Sequence, residues 1–272
     1  MEKSRLSAPY LLWMVLFIVT PLLLVIFFAF TVKTETGYAF SFANLSEFFT
    51  PLFLRVLFKS LLVAFETTVV CAIIAYPAAY FLARGDFKHK TVFLMLIILP
   101  MWINMLLRTY SWLTLLENNG LINSLLSYIG MGPYKLMYNE AAVILGMVYN
   151  FLPFMVLPIY TVLIKIDKSV IEAARDLGAS EFYSIRKVVF PLSLGGLYSG
   201  CIMVFVPAMS SFVIPRLLSG GKVNLIGNVI EQEFLRNNNW NFGSFLSIVL
   251  MVLILFSMLF IDLDDIEEAN II

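Results

Sequence analysis

The chain has 272 residues, 61% of them hydrophobic and only 13% charged, and its 18 basic and 18 acidic side chains cancel to a formal charge of zero. A soluble domain carries roughly 25% charged residues, so a soluble globule is excluded, and the neutral balance gives no ground for binding nucleic acid. Runs of about 20 apolar residues, the length that crosses a bilayer core, recur along the chain and mark a polytopic protein surrounded by lipid.

Six spans are predicted, at about 10–31, 60–83, 92–116, 141–164, 195–217 and 242–262. Within lipid each must satisfy its own backbone, so each is read as a helix and residues 1–272 as one all-α membrane domain. The first run follows Lys3 and Arg5. It is too long for a signal peptide and lacks a small-x-small cleavage site, so an uncleaved first helix is expected. The short loop "RGDFKHK" and the loop at about 165–194 are dense in charge, and short loops weigh most in the basic-residue bias. Both termini are therefore placed in the cytoplasm, and the acidic tail "DLDDIEEANII" does not oppose this. The outer connections "SFANLSEFFTPLFLRVLFKS", "NNGLINSLLSYIGMGPYK" and "SGGKVNLIGNVIEQEFLRNNNWN" are expected to carry short surface helices. Cys71 and Cys201 lie in apolar runs and read as small buried hydrophobes, and His89 stands alone without a ligand set, so no metal site is expected.

The loop between the fourth and fifth spans is the anomaly. In "SVIE", Ser169 is placed to cap a helix while Glu172 reaches back to the cap. Gly178 suits the left-handed residue that ends such a helix, and Ser180 starts a second one with Phe182, Ile185, Val188 and Val189 on one face. Pro191 stops it. Two readings follow, a capped loop covering the membrane surface or a docking element for a cytoplasmic partner. The small residues Ala173, Ala174, Gly178 and Ala179 would allow a partner's surface to come close.

"EAARDLGASEFYSIRKVVFPL" resembles the EAA motif of ABC-importer permeases, with Glu172, Ala173, Ala174, Gly178, Val188 and Pro191 in the motif's places. Val188 and Phe190 stand where that family more often has Ile and Leu. The resemblance implies six transmembrane helices of the importer-permease type and a cytoplasmic coupling helix. Glu172, Ala173, Ala174, Asp176, Gly178, Ala179 and Pro191 would form the part that meets an ATP-binding subunit. The chain has no phosphate-binding loop of its own: "SGGKVN" lacks the earlier glycine and the Ser/Thr.

Over nearly its whole length the chain is also similar to the B-type permeases of spermidine/putrescine importers, through "AYPAAYFLAR", "LPMWINMLLRTYSW", "NFLPFMVLPIYTVLIKID", "LIGNVIEQEFL" and "WNFGSFLSI". That resemblance implies polyamine import across a bacterial inner membrane. The implied partners are a C-type permease, an ATPase homodimer holding ATP and Mg, and an extracytoplasmic polyamine-binding protein. This chain would bind no cofactor and catalyse nothing itself. Permeases for ferric iron, sulfate, molybdate or phosphonate share the loop but fit the flanking segments less well. A secondary transporter would leave the ordered inner loop unexplained, and a membrane enzyme would need more convergent polar residues than Glu66 and Arg108.

A polyamine path calls for carboxylates and aromatic faces. Glu66 is the acidic residue well inside a span, and three readings stand for it: a structural ion pair with Arg108, a substrate contact, or a carboxylate facing water. Trp102, Tyr110, Tyr149 and Phe154 are the aromatic candidates for the pathway, beside Trp112 and Phe151, with a membrane-interface belt as the alternative. Glu231 and Glu233 read as a solvated outer face or a contact with the binding protein. Gly196 and Gly200 offer a close-packing face to a partner permease or to an internal neighbour.

Overall fold

The computed structural model describes residues 8–35, 37–85 and 88–269. Lys3, Arg5, the middle of the "RGDFKHK" loop and the end of the acidic tail lie outside the described residues. Four continuous helices are long and apolar enough to cross a membrane: Pro9–Ala29, Pro51–Arg84, Glu140–Leu163 and Trp240–Met258. Two further stretches are bent pairs, Lys90–Trp102 with Met105–Tyr128 at 96° and Glu181–Leu192 with Leu194–Ser210 at 65°.

Several boundaries differ from the sequence reading for local reasons. The second span begins at Pro51, where proline's fixed φ and missing N–H suit a first turn, so "LRVLFKS" is its outer end and not a surface helix. The third span is not one straight helix. Pro100 cannot donate to the ladder, a 3-10 turn occupies Leu99–Trp102, and Asn104 restarts the chain by accepting the Leu106 N–H at 2.8 Å. The fifth span ends at Ser210, and Val213–Leu218 forms a separate short helix around Pro215. After the first span, Thr31–Thr34 and Gly37–Phe40 pair as an antiparallel hairpin, which the β-branched Thr31, Val32 and Thr34 favour. The remaining outer segments include the expected short helices, Ala43–Phe48, Leu121–Tyr128 and Ile226–Leu235.

The core lies between the second, fourth and fifth spans. On the second, Ala64, Cys71, Ala75 and Ala79 recur at helical spacing and are fully buried. Their small side chains let Met147, Met155 and Ile159 of the fourth span pack closely. The fifth span approaches the same helix through its glycines. A Cβ on Gly196 would lie 2.8 Å from the Pro158 carbonyl oxygen, and one on Gly200 2.7 Å from Met155 Sδ. The small-residue face therefore serves an internal neighbour.

Polar contacts close the outer ends. Lys59 and Glu140 pair across the second and fourth spans, and Ser60 Oγ accepts the Ile226 N–H at 2.7 Å. The carbonyls left free at the end of the first span are taken by side chains, Ala29 O by Asn44 at 2.8 Å and Thr31 O by Asn241 at 2.7 Å. The first span packs on the last near Ala29, but none of its apolar window is fully buried inside the chain, so the rest of its surface is open to lipid or another subunit.

Candidate functional site

The inner loop is an ordered pair of helices, Lys168–Asp176 and Glu181–Ser184, continued by a π turn at Ile185–Val189. Its first cap differs from expectation. Asp167, not Ser169, is the N-cap: its carboxylate accepts the Ser169 N–H at 2.9 Å, and the Ser169–Glu172 capping box does not form. Asp and Ser cap about equally well as hydrogen-bond acceptors, but the carboxylate two residues earlier also gains from the positive end of the helix. The Ser169 backbone N–H and then its hydroxyl, with the nearby Arg84 guanidinium, hold Asp167 below the ordinary carboxylate range. Glu172 is thereby released from capping and is exposed.

The helix ends as expected. Gly178 sits at φ +85°, its N–H donates to Arg175 O at 2.8 Å, and the Ala179 N–H donates to Ala174 O at 3.0 Å. These two bonds satisfy carbonyls that would otherwise have no partner. Ser180 then caps the next helix by accepting the Tyr183 N–H at 3.3 Å. The loop is anchored by Ile171 and Val189, which are buried, while Glu172, Ala173, Asp176 and Gly178 are exposed and Ala174 and Ala179 half-buried. Leu177 is 90% exposed and Phe182 73% exposed, so two large apolar side chains stand out from a polar loop. Phe182 is expected on one face with Ile185, Val188 and Val189, yet it is exposed while Val189 is buried. The π turn adds a residue to the intervening helix and rotates the two apart. Pro191 lies in the short helix Phe190–Leu192, just before the 65° bend.

Within the membrane, the Glu66–Arg108 pair does not form among the described residues. The break near Pro100 redirects the third span, and the electrostatic neighbour of Arg108 is Tyr149. Its Nε and Nη1 are buried and without a hydrogen-bond partner among the described residues. Glu66 is half-buried. Tyr149 meets Trp112 edge-on, ring centroids 5.4 Å apart, while Trp102 and Tyr110 are exposed on the third span and Phe154 is at the edge of exposure. In the connection between the fifth and sixth spans, Glu233 is buried and receives Asn237 Nδ2 at 2.8 Å, and Glu231 pairs with Arg216. The solvated face expected for these two carboxylates is therefore not what they form. Burial and the Glu233 carboxylate push Glu47 up from its ordinary value.

Residues 73–264 match the profile of the family described as binding-protein-dependent transport system inner membrane component. The chain belongs to this family. The permease is 40% identical over 252 residues to the spermidine/putrescine transport system permease protein PotB of Haemophilus influenzae, covering 90% of this chain and 88% of that protein. Its identity to PotB of Escherichia coli K12 is 38% over 245 residues, covering 88% and 89%. Its fold matches a bacterial ABC transporter that imports the acidic polysaccharide alginate, with a TM-score of 0.80 at 16% identity over 95% of this chain and 94% of that one. A MetNI methionine ABC transporter in inward-facing form matches less fully, with a TM-score of 0.56 at 17% identity over 77% and 92%. The inner loop of the permease lies within the region that matches the family.

Proposed function

We propose that this permease forms one half of an ATP-driven polyamine importer in the bacterial inner membrane, with both termini cytoplasmic. It would work with a C-type permease, a homodimeric ATPase that binds ATP and Mg, and an extracytoplasmic binding protein that delivers the substrate. The observation that carries the ATP-driven part is the inner loop. A capped helix pair pinned by Ile171 and Val189 leaves Leu177 and Phe182 exposed. In this reading Leu177 and Phe182 are covered when the ATPase docks. Glu172, Ala173, Ala174, Asp176, Gly178 and Ala179 would form or border the docking face, with Pro191 setting the loop's exit. The substrate class rests on the identity to PotB proteins whose names include spermidine and putrescine.

The membrane geometry favours a pathway role for Glu66 over a structural pair, because no Arg108 contact neutralises it. Two of the Arg108 nitrogens are buried without a hydrogen-bond partner among the described residues, and its electrostatic neighbour is Tyr149. Trp102, Tyr110, Tyr149 and Phe154 would supply aromatic faces along that route.

The test is uptake of labelled spermidine in cells with and without this chain, with unlabelled putrescine, ferric iron and sulfate as competitors. We expect uptake to disappear on deletion and to be competed by putrescine alone. Glu66→Gln should lower it by about tenfold or more, the scale of losing a charged hydrogen-bond partner. Competition by iron or sulfate would move the substrate to another small solute, and uptake without ATP hydrolysis would point to a secondary transporter.

A further inference from the structure

The inner loop touches the second span at both of its feet. At the first, Arg84 in the last turn of that span donates from Nη2 to the Ile166 carbonyl oxygen at 2.8 Å. The same guanidinium acts on Asp167, the cap of the loop's first helix, and its Nε is buried without a hydrogen-bond partner among the described residues. At the second foot, the Tyr76 hydroxyl and Ser193 Oγ share a hydrogen bond of 2.8 Å, and the Tyr76 ring lies edge-on to Phe190 at 5.3 Å. Ser193 is fully buried at the 65° bend between loop and fifth span. Between the two feet, Tyr80, Arg84, Ile171, Glu172 and Arg175 help line a cleft of about 370 Å³.

Tyr76, Tyr80 and Arg84 follow one another at i, i+4 and i+8, so they share one side of the helix, with the outer two about 12 Å apart along its axis. A loop tied at a single point can swing about it. Tied at two points on one helix, it cannot turn against that helix without breaking a bond. From this we infer that Tyr76 and Arg84 are positioning residues that clamp the coupling loop to the second span, so that a push on the loop moves that span as one body. The inference rests on the reading of this loop as the ATPase-facing element. Its output is the core itself, since the second span carries the small-residue stripe on which the fourth and fifth spans pack.

The experiment uses the complete transporter in liposomes, measuring labelled spermidine uptake and phosphate release on the same vesicles. Tyr76→Phe keeps the ring against Phe190 and removes only the hydroxyl, and Arg84→Gln removes the charge. Each should lower spermidine carried per ATP by about three- to tenfold, the ratio expected for one lost hydrogen bond, with subunit composition unchanged. Arg84→Lys should recover part of the loss. Lys90→Met removes a 3.1 Å bond to the Ala83 carbonyl at the same helix end but touches neither foot, and should leave the ratio at wild type. A wild-type ratio in both clamp variants overturns the inference, as does a parallel fall in uptake and hydrolysis, which would mark a merely structural role. Should the wild-type transporter carry no spermidine, the substrate reading fails, and hydrogen exchange over residues 168–189 still judges the clamp. Faster exchange in both variants supports it and unchanged exchange overturns it.

Discussion

At Gly178 the backbone conformation, not the side chain, does the work. At φ +85° an L-residue is strained, and about 1–2 kcal/mol is the scale of that penalty for a residue with a Cβ. Proline would also remove the N–H that donates to Arg175 O. We therefore expect Gly178→Ala to reduce uptake and Gly178→Pro to abolish it, both at unchanged membrane levels by immunoblot. Normal uptake by well-expressed Gly178→Pro would rule out a rigid loop. Glu66 and Arg108 teach the complementary lesson. Both lie inside predicted spans, but position along a helix does not fix azimuth; the third span breaks at Pro100, and the electrostatic neighbour of Arg108 is Tyr149.

Among the elements, the glycines of the fifth span decide how closely it approaches the fourth. Gly196 faces backbone, the Pro158 carbonyl oxygen and Ile159 Cα, which cannot yield as a flexible side chain would. Gly196→Ala should therefore destabilise the permease by about 1–3 kcal/mol, the usual cost of overpacking, and lower its melting temperature in detergent. Gly195 has open space where its Cβ would go, so Gly195→Ala should leave that temperature unchanged or slightly raised. An equal drop in both variants would show that helix packing is not the cause. The two bent elements share a local origin, since each break lies beside a proline, Pro100 or Pro191, and a residue whose side chain takes over a backbone bond, Asn104 or Ser193.

For the whole molecule, the orientation is open to a direct measurement. With Cys71 and Cys201 replaced by alanine, Leu177→Cys should react with a membrane-impermeant maleimide in inside-out vesicles only, and Asn118→Cys in right-side-out vesicles only. Both positions are exposed and lie on opposite ends of the bundle in the proposed topology. The reverse labelling pattern would invert the topology and place the inner loop out of reach of any cytoplasmic ATPase. The first span packs on the last near Ala29, and its remaining apolar surface gives this permease a large apolar side open to lipid or to a second subunit.

Sequence by itself determined the membrane class, the helical fold, and the glycine stop and second cap of the inner loop. Each of these depends on local quantities: the length of an apolar run, the φ a glycine allows, the hydroxyl of Ser180 three residues before a free N–H. The first cap was missed: the spacing of Ser169 and Glu172 matches a capping box, while the structure uses Asp167 just before "KSVI". Only the tertiary structure decided which faces meet. The Gly196–Gly200 surface went to the fourth span, Arg108 to Tyr149, Glu233 to burial beside Asn237, and Tyr76 and Arg84 to the two feet of a loop far along the chain. Such contacts depend on helix rotation and on bends of 65° and 96°, and a period of 3.6 residues carries no information about the helix on the other side.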